Sequence, residues 1–278
     1  MAVVVVTDSS ARLDRDLLQR WGIRHVPLHV LVDGADLLDE VDDVPNDVHD
    51  RPHATTAGAS PADLSQAYRN ALADSGGDGV VAVHLSAALS STFSSAVGAA
   101  REFGSAVRVV NSRSAAAGVG FVALAAARAA ADGGDLDAVE SAARAAVPRG
   151  HAFIVVHRLD NLRRSGRIGT AASWLGTALS LKPLLCLDVD GRLVLSQRIR
   201  TVSKAHAALV DAVAEVVGEH SATLAVHHVD NYDAAAEIGA ALTTRLPQVN
   251  STSVTDMGPV LSVHVGGGAV GVCVTLDD

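Results

Sequence analysis

Hydroxyl side chains gather at the ends of apolar runs in the first third of the chain. Residues 3–6 lead into Thr7-Asp8-Ser9-Ser10, Thr55-Thr56 follow, and Val81-Ala82-Val83-His84 lead into Ser86, Ser90, Ser91 and Thr92. A Ser or Thr hydroxyl donates one hydrogen bond to a carboxylate or phosphate oxygen, and clefts at the strand ends of an α/β sheet are common ligand sites. The pattern therefore points to a binding site for an anion. Ser90 or Ser91 also stands where it would cap a helix running through Phe93 to Phe103; the free N–H groups at such a terminus serve a cap and an anion equally well.

Other candidates are weighed by their context. Gly266-Gly267-Gly268-Ala269-Val270-Gly271 is a literal G-x-G-x-x-G, but a Val-rich strand follows it where a dinucleotide site needs a helix. A turn between strands near 259–265 and 269–276 fits better, and it would set His264 at a strand end. No G-x-x-x-x-G-K-[ST] occurs, and Gly58-Ala59-Ser60 fails as a nucleophile elbow because position 62 is Ala62. A serine esterase or acyltransferase using Ser90 with His264 as base, and phosphotransfer or small-carbonyl kinase chemistry on His264 or His228, rank below binding. Residues 157–169 form a basic island rich in Arg, and Arg198-Ile199-Arg200 alternates at strand spacing. Guanidinium groups bind carboxylates and phosphates in forked pairs, although a solvated helix surface is the plainer explanation of the island.

The elements that must position these groups alternate in a βαβ rhythm. Strands are predicted near 2–6, 79–85 and 107–111, with helices near 13–21, 91–103 and 114–132 and a further helix to about 147. The character changes near Gly150, and in the half that follows Asp190-Gly191 between strands at 184–189 and 192–197 predicts a hairpin. A helix near 203–218, a strand near 222–229, a helix near 232–245 and a strand near 250–256 complete this half. The acidic stretch 33–50 reads as an exposed loop, not a set of metal ligands.

Composition limits the alternatives. At 49% hydrophobic residues the 278-residue chain can build a real core, and its aromatic content of 3% supplies few stacking platforms. The net charge of −9 argues against nucleic acid. With no signal-peptide pattern, a cytoplasmic location is expected. The uncharged run 114–127 falls short of the roughly 20 residues that span a bilayer, so no stable membrane insertion is expected. Cys186 and Cys273 lack paired spacing and read as buried free thiols.

Taken together the motifs resemble those of the DegV family over nearly the whole chain. They are Thr7-Asp8-Ser9-Ser10; Thr55-Thr56-Ala57-Gly58-Ala59-Ser60-Pro61; Ser86 with Leu89-Ser90-Ser91-Thr92-Phe93 to Ala96; Asn111-Ser112; Gly166-Arg167-Ile168; Lys182-Pro183; Asp190-Gly191; Arg200-Thr201; and the turn from His264 to Gly268. The resemblance implies an α/β fold of two domains. Residues 1–152 would form an α/β/α domain with a mainly parallel sheet, and 153–278 an α/β domain with a mixed or antiparallel sheet. One long-chain fatty acid would lie between them, its carboxylate presented to a separate ATP-dependent fatty acid kinase subunit that forms an acyl phosphate. By this analogy Thr56, Ser90 and His264 hold the carboxylate, with Thr92 and Gly268 close by, while Arg167 and Arg200 shape the headgroup region or contact the kinase. No catalytic residue, cofactor or metal is implied. The chain departs from the family pattern at Ala57, where Ser is usual, at Ser91, where Gly is usual, and at Gly267, where Pro is usual.

Overall fold

The computed structural model describes residues 2–168 and 181–277. Its first half begins with β1 (Val4–Asp8), whose Val run suits a strand buried on both faces. Helix α1 (Arg15–Trp21) starts where the Asp14 carboxylate accepts the Leu17 N–H at 2.7 Å, and stops at Gly22 in the left-handed region. Next come β2 (Arg24–Val26), β3 (His29–Val32), β4 (Ala35–Leu38) and β5 (Thr55–Ala57). Helix α2 (Pro61–Ser75) has Ser60 as cap and Pro in its first turn. It is followed by β6 (Val80–His84), α3 (Thr92–Ala100), β7 (Val107–Asn111), α4 (Ala117–Ala131) and α5 (Leu136–Ala146). The strands β2-β1-β6-β7 form a parallel sheet in that order, and β4-β3-β5 form a small antiparallel one.

The second half contains β8 (Gly150–Val155), α6 (Asp160–Ser165), β9 (Leu184–Leu187), β10 (Leu193–Gln197), α7 (Val202–Val217), β11 (Ala222–His228), α8 (Tyr232–Arg245), β12 (Val249–Asp256), α9 (Pro259–Val265) and β13 (Val270–Leu276). Its sheet runs β10-β9-β8-β13-β11-β12, with only β11 and β12 parallel among the paired strands. Alternation along β13 divides the sheet's two faces. Val270, Val272 and Val274 pack with Leu209, Val213, Ile238 and Leu242 of α7 and α8, whereas Cys273 packs with Ala116 and Ala117 at the start of α4. One face of the second sheet is thus covered by its own helices, and the other meets the first half of the chain.

Three sequence expectations change here. Residues 259–265 are helical, because Gly258 (φ 79°) breaks the preceding strand and Pro259 fits a first helical turn. Val260 and Val263, three residues apart, then face one way into the core of the first half. The acidic stretch 33–50 is not simply an exposed loop, since it holds β4 and buries Asp39 to 1% exposure. Of the two free thiols Cys273 is buried, but Cys186 is only partly so. Among the described residues, no helix is long and apolar enough to cross a membrane.

Candidate ligand-binding site

A cavity of about 360 Å³ is lined by residues from both halves of the chain. From the first half come Leu28, Thr56, Ala57, Gly58, Leu85, Leu89, Ser90, Ser91, Ala115 and Ala116. The second half supplies mainly apolar groups, including Ala152, Ile154, Leu162, Leu187, Leu193, Met257, Leu261 and Cys273, together with Arg167, His227 and His264. The volume lies toward the small end of the roughly 300–1,000 Å³ usual for small-molecule sites. Arg167 is the one lining residue with a permanent charge, and no acidic side chain joins it among the described residues.

Four elements bring the polar groups together. Thr56 comes from β5 and His264 from α9; Thr56 Oγ1 and His264 Nε2 lie 2.8 Å apart, in hydrogen-bond contact. Burial pushes the His264 pKa down to about 4, with the Arg167 charge acting in the same direction, so the imidazole is neutral at pH 7. Its Nδ1 is buried and has no partner among the described residues. Ser90 precedes α3, accepts the Thr92 N–H at 3.2 Å and lies 2.9 Å from Thr92 Oγ1. Arg167, just after α6, donates to Leu89 O at 3.2 Å and to Ser165 O at 2.5 Å.

The hydroxyls that drew attention in the sequence therefore divide into two sets. Thr56, Ser90 and Ser91 line the cavity, whereas Thr7, Ser9 and Ser10 are fully buried elsewhere. Thr7 donates to Val83 O at 2.9 Å, Ser9 Oγ accepts the Leu28 N–H at 3.0 Å, and Ser10 donates to Asp8 at 2.5 Å. Asp8 also accepts from Leu85 N and contacts His84 Nδ1 at 2.9 Å, and His84 Nε2 lies 2.9 Å from the Tyr68 hydroxyl. Burial alone would raise the Asp8 pKa, but the His84 contact, Ser10 and the Leu85 N–H together hold it below the usual carboxylate value. That network is committed to tying β1 to β6.

Thr92 sits behind Ser90, fully buried and outside the lining. Gly268 is also outside it: its N–H bonds Val229 O, its carbonyl accepts Asn231 Nδ2, and a Cβ there would lie 2.3 Å from His157 Nδ1. Arg200 is exposed beyond the end of β10, again away from the lining. Of the basic island, Arg158 pairs with Asp160, Arg164 borders a separate polar recess with His49 and Asn161, and Gly169 lies outside the described residues.

Sequence reasoning missed His227. Its Nε2 accepts the Ala117 N–H at 3.2 Å and its Nδ1 meets Thr255 Oγ1 at 2.9 Å. Burial, reinforced by the Arg12 and His228 charges, lowers its pKa to about 3. Both contacts are long-range, so no local motif reveals them.

Ser90 bonds Thr92 and His264 bonds Thr56, so these contacts form no hydroxyl-to-imidazole relay between Ser90 and His264. The ring's other nitrogen also lacks an orienting carboxylate among the described residues. The hydroxyl in contact with the imidazole is that of Thr56.

Fold and cavity define a two-domain α/β protein enclosing an apolar slot that carries hydroxyls, two neutral imidazoles and one guanidinium. The chain belongs to the DegV family, whose model, that of an uncharacterised protein family, matches residues 2–277. A DegV domain-containing protein of Mycobacterium tuberculosis is 64% identical over 274 residues, covering 99% of this chain and 97% of the relative. A fatty-acid-binding DegV family protein from Thermus thermophilus is 32% identical and superposes with a TM-score of 0.93 over 100% of both chains. DegV of Bacillus subtilis, a fatty acid binding protein, gives 0.89 at 28% identity, again over 100% of both.

Proposed function

We propose that this protein binds one long-chain fatty acid in the cavity and presents the carboxylate to a separate ATP-dependent kinase subunit for acyl phosphate formation. The observation that carries this reading is the lining itself, apolar with a single guanidinium and no acid. Burying a carboxylate is costly unless it is paired and hydrogen-bonded. Arg167 supplies the opposite charge, while Thr56, Ser90 and His264 supply polar contacts. Thr92 holds Ser90 from behind, and Gly268 supports the turn after α9. Each buried CH₂ adds roughly 0.8 kcal/mol before the entropy of association is subtracted, so the tail dominates affinity. The ligand lies between the two domains, the expected division at 152/153 being moved to the start of β8, since Gly150 to Ala152 pair with β13 of the second sheet. Arg200, exposed and away from the lining, is assigned to the kinase, and dependence on ATP sets the reaction in the cytoplasm. In this reading the chain binds and a partner catalyses.

Titration with oleate tests the assignment. His264→Ala and Thr56→Val are expected to weaken binding about ten- to a hundred-fold, the range of a hydrogen bond to a charged group. Arg200→Ala is expected to leave oleate binding unchanged and to slow acyl phosphate formation with the kinase. Equal oleate affinity in all three variants and the wild type would contradict the headgroup assignment.

A further inference from the structure

The turn between β9 and β10 divides sharply by exposure, with Val189 85% exposed and Gly191 buried. The Asp188 carboxylate shapes it by accepting the N–H groups of Asp190 at 3.0 Å and Arg192 at 2.8 Å. Its inward residue rests on the other half of the chain. Ser86 Oγ donates to Gly191 O at 2.8 Å, and Arg113 Nη1 donates to Val189 O at 3.2 Å. Gly191 has φ +76°, and a Cβ there would lie 2.3 Å from Ser86 Oγ and 2.7 Å from Arg113 O. The seat accepts glycine alone without movement.

Ser86 is fully buried and lies outside the cavity lining, yet it reaches that lining in two directions. Its carbonyl accepts the N–H groups of Leu89 at 3.0 Å and Ser90 at 3.1 Å. Its hydroxyl holds the tip of the hairpin whose paired residues Leu187 and Leu193 form part of the cavity wall. β10 is an edge strand paired with β9 among the described strands, so contacts at the tip tie this wall to the opposite half.

We propose that Ser86 and Gly191 form a latch that fastens the hairpin wall over a bound acyl chain, Ser86 acting as a positioning residue for ligand retention. The proposal rests on the fatty-acid reading and adds to it a determinant of release rate. Ser86→Ala removes the hydroxyl, which also accepts the Ala88 N–H at 3.2 Å, but keeps the carbonyl that holds Leu89 and Ser90. Arg113→Ala loosens the hairpin tip without touching the Ser86 hydroxyl and so isolates the effect of the wall.

The test follows transfer of oleate, and separately of oleyl alcohol, from the full-length protein to phosphatidylcholine vesicles. Ser86→Ala is expected to speed release of both ligands equally, by roughly three- to ten-fold, the range of one neutral hydrogen bond. Ser90→Ala should instead act more strongly on the acid. Gly191→Ala displaces the turn by contact and should speed release at least as much; it and Arg113→Ala carry the test if Ser86→Ala does not fold. Amide exchange of residues 186–194 in the unloaded protein should quicken in the latch variants. Release and exchange at wild-type rates in folded variants of an oleate-binding protein would overturn the latch alone, whereas a wild type that takes up no oleate would overturn the proposed function.

Discussion

His264 and Asp39 show how burial acts on single residues with opposite signs. Keeping His264 neutral in the fold, with its pKa near 4, costs stability in acid: the unfolded chain takes up its proton first as pH falls from 6.5 toward 4. For Asp39, burial raises the pKa from 3.8 to about 6, partly opposed by its Ser9 contact and the Arg12 charge. Its ionised form therefore costs stability, a cost that grows as pH rises from 3.8 and is complete above about 6. Asp39→Asn should stabilise the protein by at most about 3 kcal/mol at pH 8, and by less at pH 5, as read by urea denaturation at the two values. A gain that shrinks on raising the pH would refute the assignment. Of the polar residues that line the cavity, Thr56, Ser90, His264 and Arg167 could be picked out in the sequence because each sits in a short motif. The sorting of hydroxyls was not, because whether Ser10 meets Asp8 or a ligand depends on how β1 packs against β6.

At the scale of elements, legibility did not follow length alone, for α2, fifteen residues long, has no counterpart among the expected helices. The Val-rich strands β1, β6 and β7 and the long helices α4, α7 and α8 stood near their expected places. Helix α9 did not, since seven residues rich in Val show no helical period and β-branched composition suggests a strand. The small sheet of β3, β4 and β5 was hidden by acidic residues that lie on its turns and edges, and with it the burial of Asp39. Two glycines predict opposite outcomes for one substitution. Gly98 in α3 is exposed with open space around it, so Gly98→Ala should stabilise by about 0.5–1 kcal/mol. In α4, a Cβ at Gly120 would meet Ala11 O and Leu13 Cδ2 at 2.8 Å, so Gly120→Ala should destabilise by about 1–3 kcal/mol through overpacking. Chemical denaturation of both variants checks the pair; stabilisation of both would show that local helix propensity outweighs packing, and destabilisation of both would contradict the open space at Gly98.

For the whole molecule, the central feature is a cavity assembled from two halves that each have their own core. α9 joins them, sending Val260 and Val263 into the core of the first half while His264 faces the cavity. Such a site was legible as a set of motifs but not as a volume, since its walls are apolar side chains brought together from distant segments. Ala116 and Ala152 contribute to an uncharged stretch of wall next to Cys273. Ala152→Leu should therefore weaken palmitate binding more than decanoate binding, and calorimetric titration with both acids would show equal losses if the tail lay elsewhere. The most direct test of the account is a crystal structure of the protein saturated with a 16-carbon fatty acid brominated at its terminal carbon. The account predicts a carboxylate within hydrogen-bond reach of Thr56, Ser90 or His264 and an anomalous bromine signal inside the cavity; an empty cavity, or bromine bound only on the outer surface, would contradict it.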